Sequence, residues 1–213
     1  MTVKNLGIIG GGQLGSMMSS AAKKLDIRTV IYSDDKDAPA QNFCDEFIFG
    51  GYDDKQKILE FISKVDVISY EFENIPYETL NEMNKSKPVL PKPSVNRLIQ
   101  HRIAEKDFVN KLNIRTTRYV SIEKKSDIET LGDFLPGILK TTTMGYDGKG
   151  QYPIKTAEDI NSLNIDFSKG YILEKLVKLK KEISVIITRY GSNNFEIYDP
   201  IENTHQDQIL KYS

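Results

Sequence analysis

The sequence predicts an α/β fold in which a parallel-sheet domain is followed by an α+β region, and three observations carry that expectation. Near the amino terminus a β-rich run leads directly into Gly10-Gly11-Gly12-Gln13-Leu14-Gly15 and then into a segment of helical periodicity. A second β-rich run follows within about thirty residues, the size of a βαβ unit with parallel strands and a right-handed crossover. Past a proline cluster at Pro88, Pro91 and Pro93 the pattern changes to short strands separated by turn residues.

The first strand is expected over Val3 to Ile9. The helix behind it should turn Leu14, Met17, Met18, Ala21 and Leu25 toward a core, since these recur on one face. Ile27 to Tyr32 supplies the second strand. Ile58, Phe61, Ile62 and Val65 mark another helical face, and Val65 to Tyr70 reads as a short buried strand ending at Glu71-Phe72-Glu73-Asn74. Ligands of open α/β sheets bind beyond the carboxyl ends of the strands, which favours Glu71 and Glu73 over most other acidic residues. Successive prolines remove ladder donors and bias their predecessors to extended backbone, so the first domain is expected to end at residue 93. Ser94 should cap a helix running to Leu112. Strands are then expected over Arg118–Ile122, Gly137–Thr141, Tyr171–Val177, Glu182–Arg189 and Phe195–Tyr198. In the fourth of these, Ile183, Val185 and Ile187 alternate along one face, and Gly191-Ser192-Asn193-Asn194 supplies the turn of an antiparallel hairpin.

Composition narrows the function classes. The 213 residues carry 29 Lys+Arg against 30 Asp+Glu, a net charge of −1, so electrostatics names neither nucleic acid nor an anionic membrane as partner. At 39% hydrophobic and 28% charged, the chain falls outside disordered and collagen-like classes. Cys44 is the only cysteine, which excludes an intramolecular disulfide and a thiolate cluster and fits a reducing cytoplasm. No apolar run near the start approaches the length of a signal-peptide core or a membrane span.

Two glycine-rich loops carry the chemistry. Gly10, Gly12 and Gly15 satisfy G-x-G-x-x-G between a strand and a helix, where main-chain amides and the helix terminus favour an anion. Asp34 and Asp35 end the second strand, where an acid would hold a ribose, so an NAD-dependent oxidoreductase is one reading of this half. The second loop, Met144-Gly145-Tyr146-Asp147-Gly148-Lys149-Gly150-Gln151, follows the strand that ends near Lys140. It is not a Walker loop, because only Tyr146 and Asp147 separate its first glycines and Gly150, not a hydroxyl residue, follows Lys149. A flexible loop carrying a lysine can still close over phosphates as a lid. Glu174 ends one apolar strand and Glu182 opens the next, and either could accept hydrogen bonds from a ribose. Lys175, Lys178, Lys180 and Lys181 between them read as a solvated face. Only His101 and His205 exist, and His205, with Glu202 before it, reads as a hydrogen-bonded structural residue.

Taken together, Gly10 to Gly15, Tyr70-Glu71-Phe72-Glu73-Asn74-Ile75, the Arg102 to Lys106 helix, Lys140 with the Gly145 to Gln151 loop, Glu174 with Glu182-Ile183-Ser184, and Glu202-Asn203-Thr204-His205 resemble the 5-(carboxyamino)imidazole ribonucleotide synthase family, biotin-independent ATP-grasp enzymes of purine biosynthesis. The resemblance implies a Rossmann-like pre-ATP-grasp domain over 1–93, a linker helix and small ATP-grasp lid domain over 94–178, and the beginning of the central ATP-grasp domain over 179–213. It implies a carbon–nitrogen ligase: ATP phosphorylates bicarbonate to carboxyphosphate, and the amine of 5-aminoimidazole ribonucleotide takes up the carboxyl group, releasing ADP and phosphate. ATP and Mg2+ are the implied cofactors, a homodimer in the cytoplasm the implied state. Carried over residue by residue, Arg102, Lys140, Gly145, Tyr146, Asp147, Gly148, Lys149, Gly150, Gln151, Glu174, Lys175, Leu176, Val177, Glu182 and His205 would line the ATP site. Lys140 and Lys149 would be the catalytic cations, Glu182 would hold the ribose, and Gln13, Leu14, Glu71, Tyr146, Asp147 and Lys149 would contact the aminoimidazole ribonucleotide. The glycine cradle near the amino terminus would then serve the phosphoribosyl substrate instead of a dinucleotide. Lys149 stands where relatives often carry arginine, which keeps the charge but loses a bidentate fork. The family's metal-holding acids and its Asn-Glu-x-Ala-Pro-Arg segment are expected beyond Ser213, so no metal ligand is assigned to these residues, and a nucleotide-binding fragment without turnover is the other reading.

Overall fold

The computed structural model describes residues 3–145, 150–206 and 209–213. The chain divides between Glu105 and Lys106 into two compact units. That division falls beyond the proline cluster. The reason lies in the segment after Pro93: the Asn96 side chain donates to the Ile75 carbonyl at 3.1 Å, and Gln100 Nε2 lies 2.6 Å from the carbonyls of Glu73 and Ile75. These bonds tie it to residues 73–75 of the first unit.

The first unit contains β1 (Asn5–Ile9), α1 (Gln13–Lys23), β2 (Arg28–Ser33), β3 (Glu46–Phe49), α2 (Lys55–Ser63), β4 (Val67–Tyr70), α3 (Tyr77–Met83) and α4 (Pro93–Ile99). Its sheet has the order β3-β2-β1-β4, every pair parallel. Ile9, Val30, Tyr32, Phe61, Ile68 and Leu80 form the main core, each completely buried. The expected face of α2 is the observed one, with Ile58, Phe61 and Ile62 buried.

Two expectations are corrected here. On α1 the buried residues are Gly15, Ser16, Ser19 and Ala22, whereas Leu14, Met17 and Leu25 are 50%, 65% and 71% exposed. Small side chains line the seam because the helix lies close to neighbouring main chain; a Cβ on Gly15 would sit 3.1 Å from the Gly10 carbonyl and 3.4 Å from the Ala40 methyl. The single helix expected from Ser94 to Leu112 is two helices, α4 and α5 (Arg102–Lys111), interrupted at Gln100 and His101. Pro93, not a Ser94 cap, opens α4, its fixed φ being pre-set for a first helical residue.

The second unit takes in most of α5, then β5 (Tyr119–Ile122), α6 (Lys125–Glu129), β6 (Gly137–Thr141), β7 (Gln151–Ile154) and β8 (Tyr171–Lys175). The strands form an antiparallel sheet of order β5-β8-β6-β7. Strand alternation sends Ile122, Leu139, Ile154, Tyr171 and Leu173 into one core. Pro153, which cannot donate to a ladder, sits on the edge strand β7. Beyond lie β9 (Glu182–Ser184), β10 (Ile187–Arg189), β11 (Phe195–Ile197), β12 (Ile201–Gln206) and β13 (Ile209–Tyr212). The strand expected over Glu182–Arg189 is thus split, β9 pairing with β12 and β10 with β11, so Ile183, Val185 and Ile187 do not share one strand face and all are exposed. The hairpin itself forms as expected, with Arg189 opposite Phe195. Among the described residues no helix is long and apolar enough to cross a membrane.

Candidate functional site

The antiparallel sheet of the second unit builds its site by alternation. The core takes one face; the other carries Tyr119, Lys140, Gln151, Ile172 and Glu174, which the strand register sets side by side. Tyr119 stands opposite Glu174, Lys140 opposite both Ile172 and Gln151. Glu174 is the centre of this polar face, its side chain only 9% exposed. Lys140 Nζ donates to one carboxylate oxygen at 2.7 Å and Lys106 Nζ reaches the other at 2.9 Å. The two lysines are themselves 18% and 17% exposed. Burial alone would raise the Glu174 carboxyl, but the hydrogen bonds from Lys140 and Lys106 outweigh it and hold the group below the ordinary glutamate value. Two cations on one buried carboxylate leave an excess positive charge beside a glycine loop, an arrangement suited to an anion such as a polyphosphate.

The sequence alone gives Lys106 no role. It belongs to no loop motif, and the signal that could have found it is its position one helical turn after Arg102 on α5. Its ammonium also lies 5.5 Å from the centre of the Tyr119 ring. Of the remaining expected ATP contacts, Gly150 closes the loop's far side with φ +70°, and its carbonyl accepts from the Thr141 amide at 2.9 Å. A Cβ there would meet Thr141 Oγ1 at 2.7 Å, so both the backbone and the space require glycine. Gly145 is half-buried, and Tyr146, Asp147, Gly148 and Lys149 lie outside the described residues.

Lys175, Leu176 and Val177 continue β8 toward the lysine-rich connection. Lys175 Nζ donates to the Asp133 carbonyl at 2.6 Å, and the Leu176 amide donates to the Pro136 carbonyl at 3.0 Å. Farther on, the β9–β12 register places Glu182 opposite Asn203 and brings His205 Nδ1 to 3.3 Å from Glu182 Oε1. The partner of His205 is therefore Glu182; Glu202, its neighbour in sequence, pairs with Lys181 at 2.6 Å. Among the described residues no three carboxylate, histidine or cysteine side chains converge as metal ligands.

In the first unit, Gln13 opens α1 and Leu14 follows it, both exposed, while Arg102 opens α5. The glycine loop is not vacant. The amide of Gly12 donates to Glu71 Oε1 at 2.5 Å and that of Gly15 to Oε2 at 2.6 Å. A dinucleotide needs those amides for its pyrophosphate, and so would a phosphoribosyl group seated on the loop.

Residues 3–100 match the family described as the Ribonucleotide synthetase preATP-grasp domain, and residues 107–213 match the ATP-grasp domain. The chain is 37% identical over 216 residues to the N5-carboxyaminoimidazole ribonucleotide synthase of Brucella melitensis, covering 98% of this chain and 59% of that one. It is 35% identical over 210 residues to the enzyme of the same name from Staphylococcus aureus, covering 96% of this chain and 56% of the relative. Among solved structures, the Staphylococcus aureus N5-carboxyaminoimidazole synthetase complexed with ADP superposes with a TM-score of 0.90 at 33% identity, over 97% of this chain and 56% of that one. The chain thus spans a little over half the length of these relatives.

Proposed function

Because the chain belongs to the ATP-grasp family, we propose that it carries the nucleotide-binding part of a ligase that carboxylates 5-aminoimidazole ribonucleotide with bicarbonate at the expense of ATP. The observation that carries this reading is the buried Lys106–Glu174–Lys140 cluster on the polar face of the lid sheet, next to the glycine loop. The names of the relatives at 35% to 37% identity supply the substrate class.

In this reaction a bicarbonate oxygen takes the terminal phosphoryl group of ATP, ADP leaves, and the substrate amine then attacks the carboxyl carbon as phosphate departs. Neither step needs a protein nucleophile; both need charge neutralised and reactants held in line. Lys140 is proposed to turn from Glu174 to the phosphates, with Arg102, Gly145, Gly148, Gly150 and Gln151 lining the nucleotide and Lys149 closing with the loop. Glu174 keeps Lys106 and Lys140 together on the sheet. Main chain at Lys175, Leu176 and Val177 would meet the base, Glu182 would accept from the ribose hydroxyls, and His205 would orient Glu182. Gln13, Leu14, Glu71, Tyr146, Asp147 and Lys149 are proposed contacts of the aminoimidazole ribonucleotide. Magnesium would shield the phosphates when bound, but no step is assigned to it on these residues. A cytoplasmic homodimer is proposed with the same reading.

Thermal unfolding with magnesium-ATP and, separately, with NADH tests it. A ligand at about a hundred times its dissociation constant adds about 2.7 kcal/mol of stability, so ATP should raise the melting temperature by several degrees and NADH should leave it unchanged. Stabilisation by NADH alone would overturn the ligase reading.

A further inference from the structure

We infer that Glu71 is a resident anion of the glycine loop: its carboxylate stands where the loop would otherwise take a phosphate, caps α1, and excludes phosphate groups from that position. The inference rests on the geometry of the first unit and not on the ligase reading.

α1 begins without the usual means of satisfying its first amides. Its N-cap is Gly12, which has no side chain to offer, and its first turn contains no acidic residue. Glu71, distant in sequence, supplies what is missing. Its own amide donates to the Ile9 carbonyl at 3.0 Å, extending the β1–β4 ladder by one residue and fixing the side chain at the carboxyl edge of the sheet. From there one oxygen accepts from Gly12 and the other from Gly15, at 2.5 and 2.6 Å. Charge-assisted bonds this short leave no room for a phosphate oxygen on either N–H.

The glycines are spaced for the carboxylate. A Cβ on Gly10 would fall 2.5 Å from Glu71 Cγ, one on Gly12 would fall 2.8 Å from Oε1, and one on Gly15 would fall 3.3 Å from Oε2. Gly10 also has φ +98°, a backbone that other residues rarely adopt. The pattern that reads as a phosphate cradle in sequence is thus already satisfied by an internal acid. A phosphate-bearing ligand of the first unit must place its phosphate elsewhere.

The test is inorganic phosphate titrated into the full 15N-labelled chain at constant ionic strength, with the Gly12 and Gly15 amide signals followed. In the unmodified chain neither signal should move saturably. In Glu71→Ala both should shift and saturate, and without phosphate both amides should exchange with solvent about tenfold faster or more, the loss of a charge-assisted bond being worth at least that factor. Glu71→Gln keeps the size of the side chain but leaves one amide facing an NH2 group, so exchange at one of the two glycines should accelerate. Saturable phosphate shifts at Gly12 and Gly15 in the unmodified chain would overturn the inference, as would unchanged exchange at both glycines in Glu71→Gln.

Discussion

Glu174→Ala should cost the second unit about 3 kcal/mol of stability, because it removes the common partner of two largely buried cations. Lys106 and Lys140 would then face each other unpaired, in a place where water compensates them poorly. Chemical denaturation followed by far-ultraviolet circular dichroism measures the loss, the sequence having no tryptophan; a change under about 0.5 kcal/mol, the range of an ordinary surface substitution, would refute the structural role. The pH dependence has a defined sign. The folded Glu174 carboxyl lies below its unfolded value, since the lysine hydrogen bonds outweigh desolvation. Its contribution is therefore complete above the unfolded glutamate value of about 4.3 and is lost as the pH falls through the lower folded value. The stability gap between the parent chain and Glu174→Gln should be constant from pH 7 to about 5 and should narrow in more acidic solution.

Lys140→Ala should weaken ATP binding by about thirtyfold, the worth of roughly 2 kcal/mol for a hydrogen bond to a charged group in a sheltered site. Its effect on stability should be smaller than that of Glu174→Ala, because Glu174 keeps Lys106 as a partner at 2.9 Å. Calorimetric titration of ATP into both chains separates the two effects. Affinity within twofold of the parent would remove Lys140 from the phosphate site.

Much of this was legible in the sequence where the signal is local. β6 has the expected bounds, Gly137–Thr141, and α2 buries the residues its periodicity marks, because alternation and helical spacing are properties of neighbouring residues. β3 carries no local signal because Glu46-Phe47-Ile48-Phe49 is short and lacks alternation, and the interruption between α4 and α5 contains neither glycine nor proline. The strand ends single out Glu174 and Glu182, but partners across strands depend on register. Glu202 looked like the companion of His205, yet three residues of strand span about 10 Å, and the β9–β12 pairing delivers Glu182 instead. Lys106 reaches Glu174 from α5, a contact that no spacing within one segment encodes.

The small-residue seam of α1 inverts the usual pattern of substitution tolerance. On most amphipathic helices the large apolar positions resist change and the small ones accept it. Here the hidden positions Ser19 and Ala22 are almost fully buried, so an added isobutyl group must displace the helix from its neighbours, whereas exposed Leu14, Met17 and Leu25 can become polar with little effect on packing. Sequence variation in chains of this fold should therefore track side-chain volume along one stripe of α1 and be nearly indifferent to hydrophobicity along the other.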